Sequence, residues 1–207
     1  MTRTSSPASP PASPPASSPP SSPPSPSATT PADLAIRIAT AADVPTINSF
    51  IRALARYEKL EHEVVASEPA LHATLFGARP AAEVLIAELA GSPVGFALYF
   101  TSYSTFLAKP GLYLEDLFVD PAARGHGVGA ALMSALARIA VARNYGRFEW
   151  SVLDWNRSAL DFYARLGAVP MSEWTVQRLV GAPLVDLAER WSGTIETTPP
   201  PSARREG

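Results

Sequence analysis

Residues 112–140 read LYLEDLFVDPAARGHGVGAALMSALARIA, and no other stretch limits the fold as much. An apolar run of strand length leads into a glycine-rich turn, and the turn leads into apolar residues at helical spacing. The run is apolar on both alternating faces, as in a strand covered on two sides. The strand therefore lies inside a sheet, and the helix after it packs back on that sheet. Two acids, Glu115 and Asp116, interrupt the run. A buried carboxylate is costly unless it is paired, hydrogen-bonded or protonated. Either these acids are tied to a partner such as Arg147, or a site needs a carboxylate in a partly dry place.

The rest of the chain alternates in kind. Residues 34–40, LAIRIAT, read as a strand. Thr40 then caps a helix, with Asp43 three residues on as in a capping box and Pro45 in the first turn. That helix carries Ile47, Phe50, Ile51, Leu54 and Ala55 on one face. A second helix spans 67–77, with Ser67 as cap and Gly77 as stop. Residues 82–89 and 93–104 form a hairpin through Ala90-Gly91-Ser92. After the glycine turn come a helix from about 128 to 144, a strand at 147–153 and a short helix at 156–167 closed by Gly167. A last strand at 175–180 and a last helix at 183–191 complete the pattern. Hairpins followed by strand–helix alternation predict an α/β fold: a mixed central sheet with helices on both faces.

Composition sets the margins. Residues 1–31 are almost wholly Pro, Ser, Ala and Thr and cannot bury enough apolar surface to offset their ordering entropy. They read as a disordered tail, and 193–207 as a second flexible one, around a domain at 32–192. A net charge of −2 gives no field that would draw nucleic acid or an anionic membrane. No apolar run is long enough to span a bilayer, and a cytoplasmic protein is expected. With no cysteine there is no thiolate metal site and no cysteine acyl-enzyme. His62 and His72 lack partners at metal-ligand spacing, so no metal is implied.

The turn Arg124-Gly125-His126-Gly127-Val128-Gly129 ends at a helix start, where free amides make an anion site. A P-loop would need Gly-Lys-Ser/Thr at its end, which is absent. Gly125, Gly127 and Ala130 match a dinucleotide fingerprint, but too little chain follows to build a doubly wound sheet around it. A glycine turn without a ligand is a third reading. The fourth is a pyrophosphate site for acyl-CoA. Arg124, Gly127 and Gly129, spaced Arg-x-x-Gly-x-Gly, resemble the signature of the GNAT superfamily of N-acetyltransferases. YLEDLFVDPAARGHGVGAALM, followed by DWNRSALDFYARLGA, resembles the diamine (spermidine/spermine) and thialysine branch of that superfamily. RYEKLEHEV after the first helix resembles a substrate-side segment of the same branch.

The resemblance implies acetyl-CoA as co-substrate and a small cationic amine as acceptor. It places Arg124, Gly125, His126, Gly127, Val128, Gly129 and Ala130 at the phosphates, and Leu117, Phe118 and Val119 along the pantetheine and thioester. Asn156 caps its helix and, by the resemblance, also touches the pantetheine. Tyr57, Glu58, Glu61, Asp116 and Trp155 border the acceptor. An alkyl amine is mostly protonated at pH 7 and must lose that proton before it attacks a thioester. Glu115 is the expected base, directly or through water, with its pKa raised by partial burial. Tyr163 is the expected acid for the departing thiolate. A regular strand turns Asp116 to the opposite face, where it holds the site's shape; a bulge at this point, which the resemblance to the superfamily implies, would break that alternation. Direct attack in a ternary complex is the mechanism implied, and relatives of this kind form homodimers. A CoA-binding module without chemistry is the rival reading.

Overall fold

The computed structural model describes residues 33–190 and 192–193. The tail at 1–31, and all but Gly193 of the one at 193–207, lie outside the described residues. The chain divides between Ser151 and Val152 into two units.

The first unit carries one five-stranded sheet. Its spatial order is the chain order: β1 (Leu34–Ile38), β2 (Glu83–Leu89), β3 (Ser92–Ser104), β4 (Lys109–Val119) and β5 (Phe148–Trp150). β1 to β4 pair antiparallel and β5 pairs parallel to β4, so the sheet is mixed, as expected. α1 (Val44–Glu58) and α2 (Glu68–Phe76) cover one face, and α3 (Val128–Ala142) covers the other. Val84, Ile86, Phe96 and Phe118 pack with Ile47, Phe50, Leu71 and Leu75. Phe50 stacks on Phe96 at 5.7 Å and lies 5.6 Å from Phe118. The alternate residues Leu85, Ala87, Ala97, Tyr99, Leu112 and Leu114 point to the α3 side and are equally buried. Among the described residues no helix is long and apolar enough to cross a membrane.

Local signals set the joints. The Asp43 carboxylate accepts from the Thr40 amide at 2.7 Å and from its hydroxyl at 3.0 Å, fixing the entry to α1. The β2–β3 turn is two residues, Ala90 (φ 50°) and Gly91 (φ 77°), the left-handed pair that a tight hairpin requires. Arg37 of β1 clamps the same Asp43 through both terminal nitrogens, at 2.7 and 2.8 Å, and its Nε reaches Glu88 at 2.8 Å. The guanidinium, assisted by the Thr40 amide, holds the Asp43 carboxyl well below the usual carboxylate range despite its burial. The stability this pair contributes is therefore complete above about pH 4 and is lost only in stronger acid.

The second unit holds α4 (Arg157–Arg165) and α5 (Ala182–Glu189). Asn156 caps α4, accepting from the Ala159 amide at 3.2 Å, and Gly167 (φ 85°) ends it in the left-handed region. The strand expected at 175–180 does not form; Trp174 to Val180 are exposed and irregular. Alternation shows that a segment can lie on a pleated surface. A strand exists only where a neighbour completes its ladder, and none of the described strands pairs with this one.

Candidate functional site

The two acids that interrupt β4 sit at a break in its register. Asp116 faces Leu98 across β3, but the next pair is Leu114 with Tyr99. Glu115 is the extra residue of a β-bulge, with no partner on β3. The bulge resets the alternation, so Asp116 does not act as the opposite-face residue of a regular strand. It shares the face of Leu98 and Phe118, the one that α1 covers. Burial is distributed contrary to expectation as well. Glu115 is exposed, while Asp116 is partly buried. Burial first, then the charges of Glu115 and Glu58, push the Asp116 carboxyl up to about 6. Glu58, at the end of α1, is also raised by burial. Its position at the negative end of the helix dipole adds to the local excess of negative charge.

Among the described residues no cation pairs with Glu58, Glu115 or Asp116. Arg147, the candidate partner for Glu115, is engaged by Glu149 at 2.6 Å and donates to the Tyr103 carbonyl. Glu61 stands apart from the three acids, in an exposed pair with Arg56 at 3.1 Å. Three carboxylates thus gather around the bulge with no cation paired to them among the described residues.

β4 also parts from its neighbour at this point. β5 pairs with Leu112, Tyr113 and Leu114 only. From Asp116 to Val119 the strand keeps β3 on one edge and has no described strand on the other. That open edge offers main-chain groups of the kind an amide-bearing pantetheine chain can pair with. Phe118, expected beside the cofactor, is a core side chain at 5% exposure, so whatever it offers a ligand is main chain. The Val119 carbonyl accepts from Arg124 Nε at 3.1 Å.

The glycine turn follows. Gly125 (φ 81°) and Gly127 (φ 76°) adopt conformations that a side chain would strain, and a Cβ at either would meet open space. Gly127 caps α3, and the first helical bond runs from the Ala131 amide to the Gly127 carbonyl at 2.9 Å. The amides of Val128, Gly129 and Ala130 precede that bond and lie at the positive end of a 15-residue helix. The Val128 side chain is buried, so it too offers its amide. This cradle fits a pyrophosphate. His126 turns its Nδ1 to the Arg124 carbonyl at 3.0 Å, which shapes the turn. Arg124 lays its guanidinium over the Tyr57 ring, 4.9 Å from the centroid. Tyr57 thereby meets the glycine turn, a contact that its place in the acceptor-side segment did not suggest. Trp155, Asn156 and Tyr163 belong to the second unit, where Tyr163 lies 5.2 Å from Phe162, ring to ring, on α4. No group of three or more metal-ligating side chains occurs among the described residues.

A family model described as "Acetyltransferase (GNAT) family" matches residues 51–168. A thialysine N-epsilon-acetyltransferase of Sus scrofa is 38% identical over 168 residues, covering 76% of this chain and 98% of that protein. An L-ornithine N5-acetyltransferase of Arabidopsis thaliana is 35% identical over 191 residues, covering 70% of this chain and 84% of that protein. Among solved structures, an integron cassette protein from the mobile metagenome of V. cholerae superposes with a TM-score of 0.65 at 28% identity, covering 76% of this chain and 98% of that one.

Proposed function

This chain belongs to the acetyltransferase (GNAT) family, and from that we propose a cytoplasmic enzyme that acetylates the primary amine of a small cationic acceptor, a diamine, polyamine or lysine-like amino acid. The observation that carries the choice of acceptor is the group of Glu58, Glu115 and Asp116, with no cation paired to it among the described residues. A cationic amine supplies the charge these three carboxylates lack. The names of the relatives, for thialysine and for L-ornithine, support the same class.

Acetyl-CoA, when bound, supplies the acetyl group as a thioester. Gly125, His126 and Gly127 shape the turn that receives its phosphates, with the amides of Val128, Gly129 and Ala130 and the Arg124 charge as donors. The open edge of β4 at Leu117 and Val119 receives the pantetheine. Glu115, exposed at the bulge, meets the ammonium and takes its proton, directly or through one water. Asp116 lies behind it. Burial and the neighbouring charges of Glu115 and Glu58 let the Asp116 carboxyl hold a proton near pH 6. The amine attacks directly with both substrates bound, the mechanism that the resemblance to the superfamily implies, and no cysteine is present for a cysteine acyl-enzyme. Tyr163 protonates the departing sulfur, and Asn156 and Trp155 complete the site in this reading; their support is the order of motifs along the chain. The enzyme acts as a homodimer. Val169, Met171, Trp174, Val176 and Val180 of the second unit are exposed apolar surface that supports self-association. Light scattering should give twice the 21.9 kDa chain mass, and a monomer at micromolar concentration would remove that part.

The deciding experiment is thiol release from acetyl-CoA with putrescine, spermidine, spermine, L-ornithine, thialysine, lysine, an aminoglycoside and a histone-tail peptide. A preference for one of the small amines is expected. Silence across the panel with CoA binding intact would overturn the enzyme reading in favour of a CoA-binding module.

A further inference from the structure

We propose that Tyr57 is a positioning residue for Arg124: its ring, on the last turn of α1, holds the guanidinium in place for the phosphates of acetyl-CoA. The inference rests on the reading of the glycine turn as the phosphate site.

Arg124 is fixed from two directions. Its Nε donates to the Val119 carbonyl at 3.1 Å, which ties the side chain back to the end of β4. Its guanidinium carbon stands 4.9 Å from the centre of the Tyr57 ring, within cation–π range. These contacts use Nε and one flat face of the group. The two terminal nitrogens have no hydrogen-bond acceptor and no carboxylate partner among the described residues. A guanidinium held by its stem and face, with its fork left over, suits bidentate contact with a phosphate. Arg124 directly precedes the two left-handed glycines that lead to the open amides of α3.

The ring's contribution is preorganisation. A free arginine side chain loses much rotamer freedom when it closes on an anion. A side chain already laid on a ring has lost part of that freedom before the ligand arrives, and binding is tighter for it. The arrangement also divides the labour at the end of α1. Tyr57 serves the co-substrate, while Glu58, the next residue, acts on Asp116 in the acid group. One helical turn thus addresses both substrates.

The test compares the full-length parent with Tyr57→Leu, Tyr57→Phe and Arg124→Ala. CoA affinity is measured by calorimetry, and pantetheine, which lacks the phosphates, by NMR titration. Tyr57→Leu should weaken CoA by about threefold to tenfold, the range of a partly exposed cation–π contact plus the lost ordering. It should leave pantetheine unchanged. Tyr57→Phe keeps the ring and should bind CoA within about twofold of the parent. Parent-like CoA affinity in Tyr57→Leu would overturn the proposal. So would an equal loss of pantetheine, which marks a structural defect, or a Phe variant as weak as the Leu variant, which assigns the effect to the hydroxyl. The underlying site reading fails separately, if Arg124→Ala binds CoA as well as the parent. Weak CoA binding in Arg124→Ala with an unaffected Tyr57→Leu would refute only the role of the ring. None of these readouts requires turnover.

Discussion

Glu115→Gln should lower kcat toward the preferred small amine by roughly 100-fold or more, the range expected for loss of a positioned proton acceptor. The KM for acetyl-CoA should change little, because the side chain is exposed at the bulge and the phosphate turn lies elsewhere. The pH profile carries the sharper content. In the parent, kcat/KM should fall as pH drops through about 6, where Asp116, pressed by burial and by the charges of Glu115 and Glu58, takes up its proton. Above that pH Asp116 is ionised and should help hold the cationic amine; below it the carboxyl is neutral and that attraction should weaken. Replacing Glu115 leaves Asp116 without its nearest like charge on β4, so the acid limb should move to lower pH as well as to lower rate. A Glu115→Gln profile that superposes on the parent's would remove Glu115 from the chemistry.

Asp116→Asn should be more stable than the parent at pH 7.5 and less active. The folded carboxyl titrates at about 6, above its unfolded value near 4. Its folded form therefore binds the proton more tightly, and stability falls as pH rises from about 4 to about 6. Above pH 6 the full cost of the charge is present. Two pH units correspond to about 3 kcal/mol, and the solvent that reaches a partly exposed side chain reduces this to about 2 kcal/mol. For a chain of this size that is about 5 °C in Tm. The amide carries no charge, so the gain should be present at pH 7.5 and absent at pH 4. A variant that melts at or below the parent at pH 7.5 would show that the acid is not strained by its setting. Stability gained together with turnover lost would mark Asp116 as a residue retained for function.

Much of this was legible in the sequence because the strongest signals are local. The cap at Thr40 and Asp43, the stop at Gly167 and the strand–turn–helix of β4 and α3 depend on neighbours within a few residues. The adjacent acids of β4 announced an anomaly, but its form needed the structure. A bulge is a relation between two strands, and only the pairing of Leu98 and Tyr99 with Asp116 and Leu114 shows that Glu115 is the extra residue. The partial burial expected of Glu115 rested on the resemblance, and the pairing shows instead that the bulge leaves Glu115 exposed and Asp116 partly buried. The contact between Tyr57 and Arg124 left no trace in spacing, since it joins residues 67 apart through the packing of α1 beside β4. The strand expected at 175–180 was the opposite error. Its pattern was suitable, but pattern supplies no partner.

The Arg37–Asp43 clamp and the crowded Asp116 answer acid in opposite senses, and acid reaches Asp116 first. Between about pH 6 and about pH 4 a proton relieves the repulsion at the bulge while the clamp stays whole. Over that interval the stability contributed by this carboxyl should rise while turnover should fall. Acidification should then work as a dimmer rather than a denaturant: protein brought to pH 5 should lose most of its turnover while staying folded, and should recover it on neutralisation.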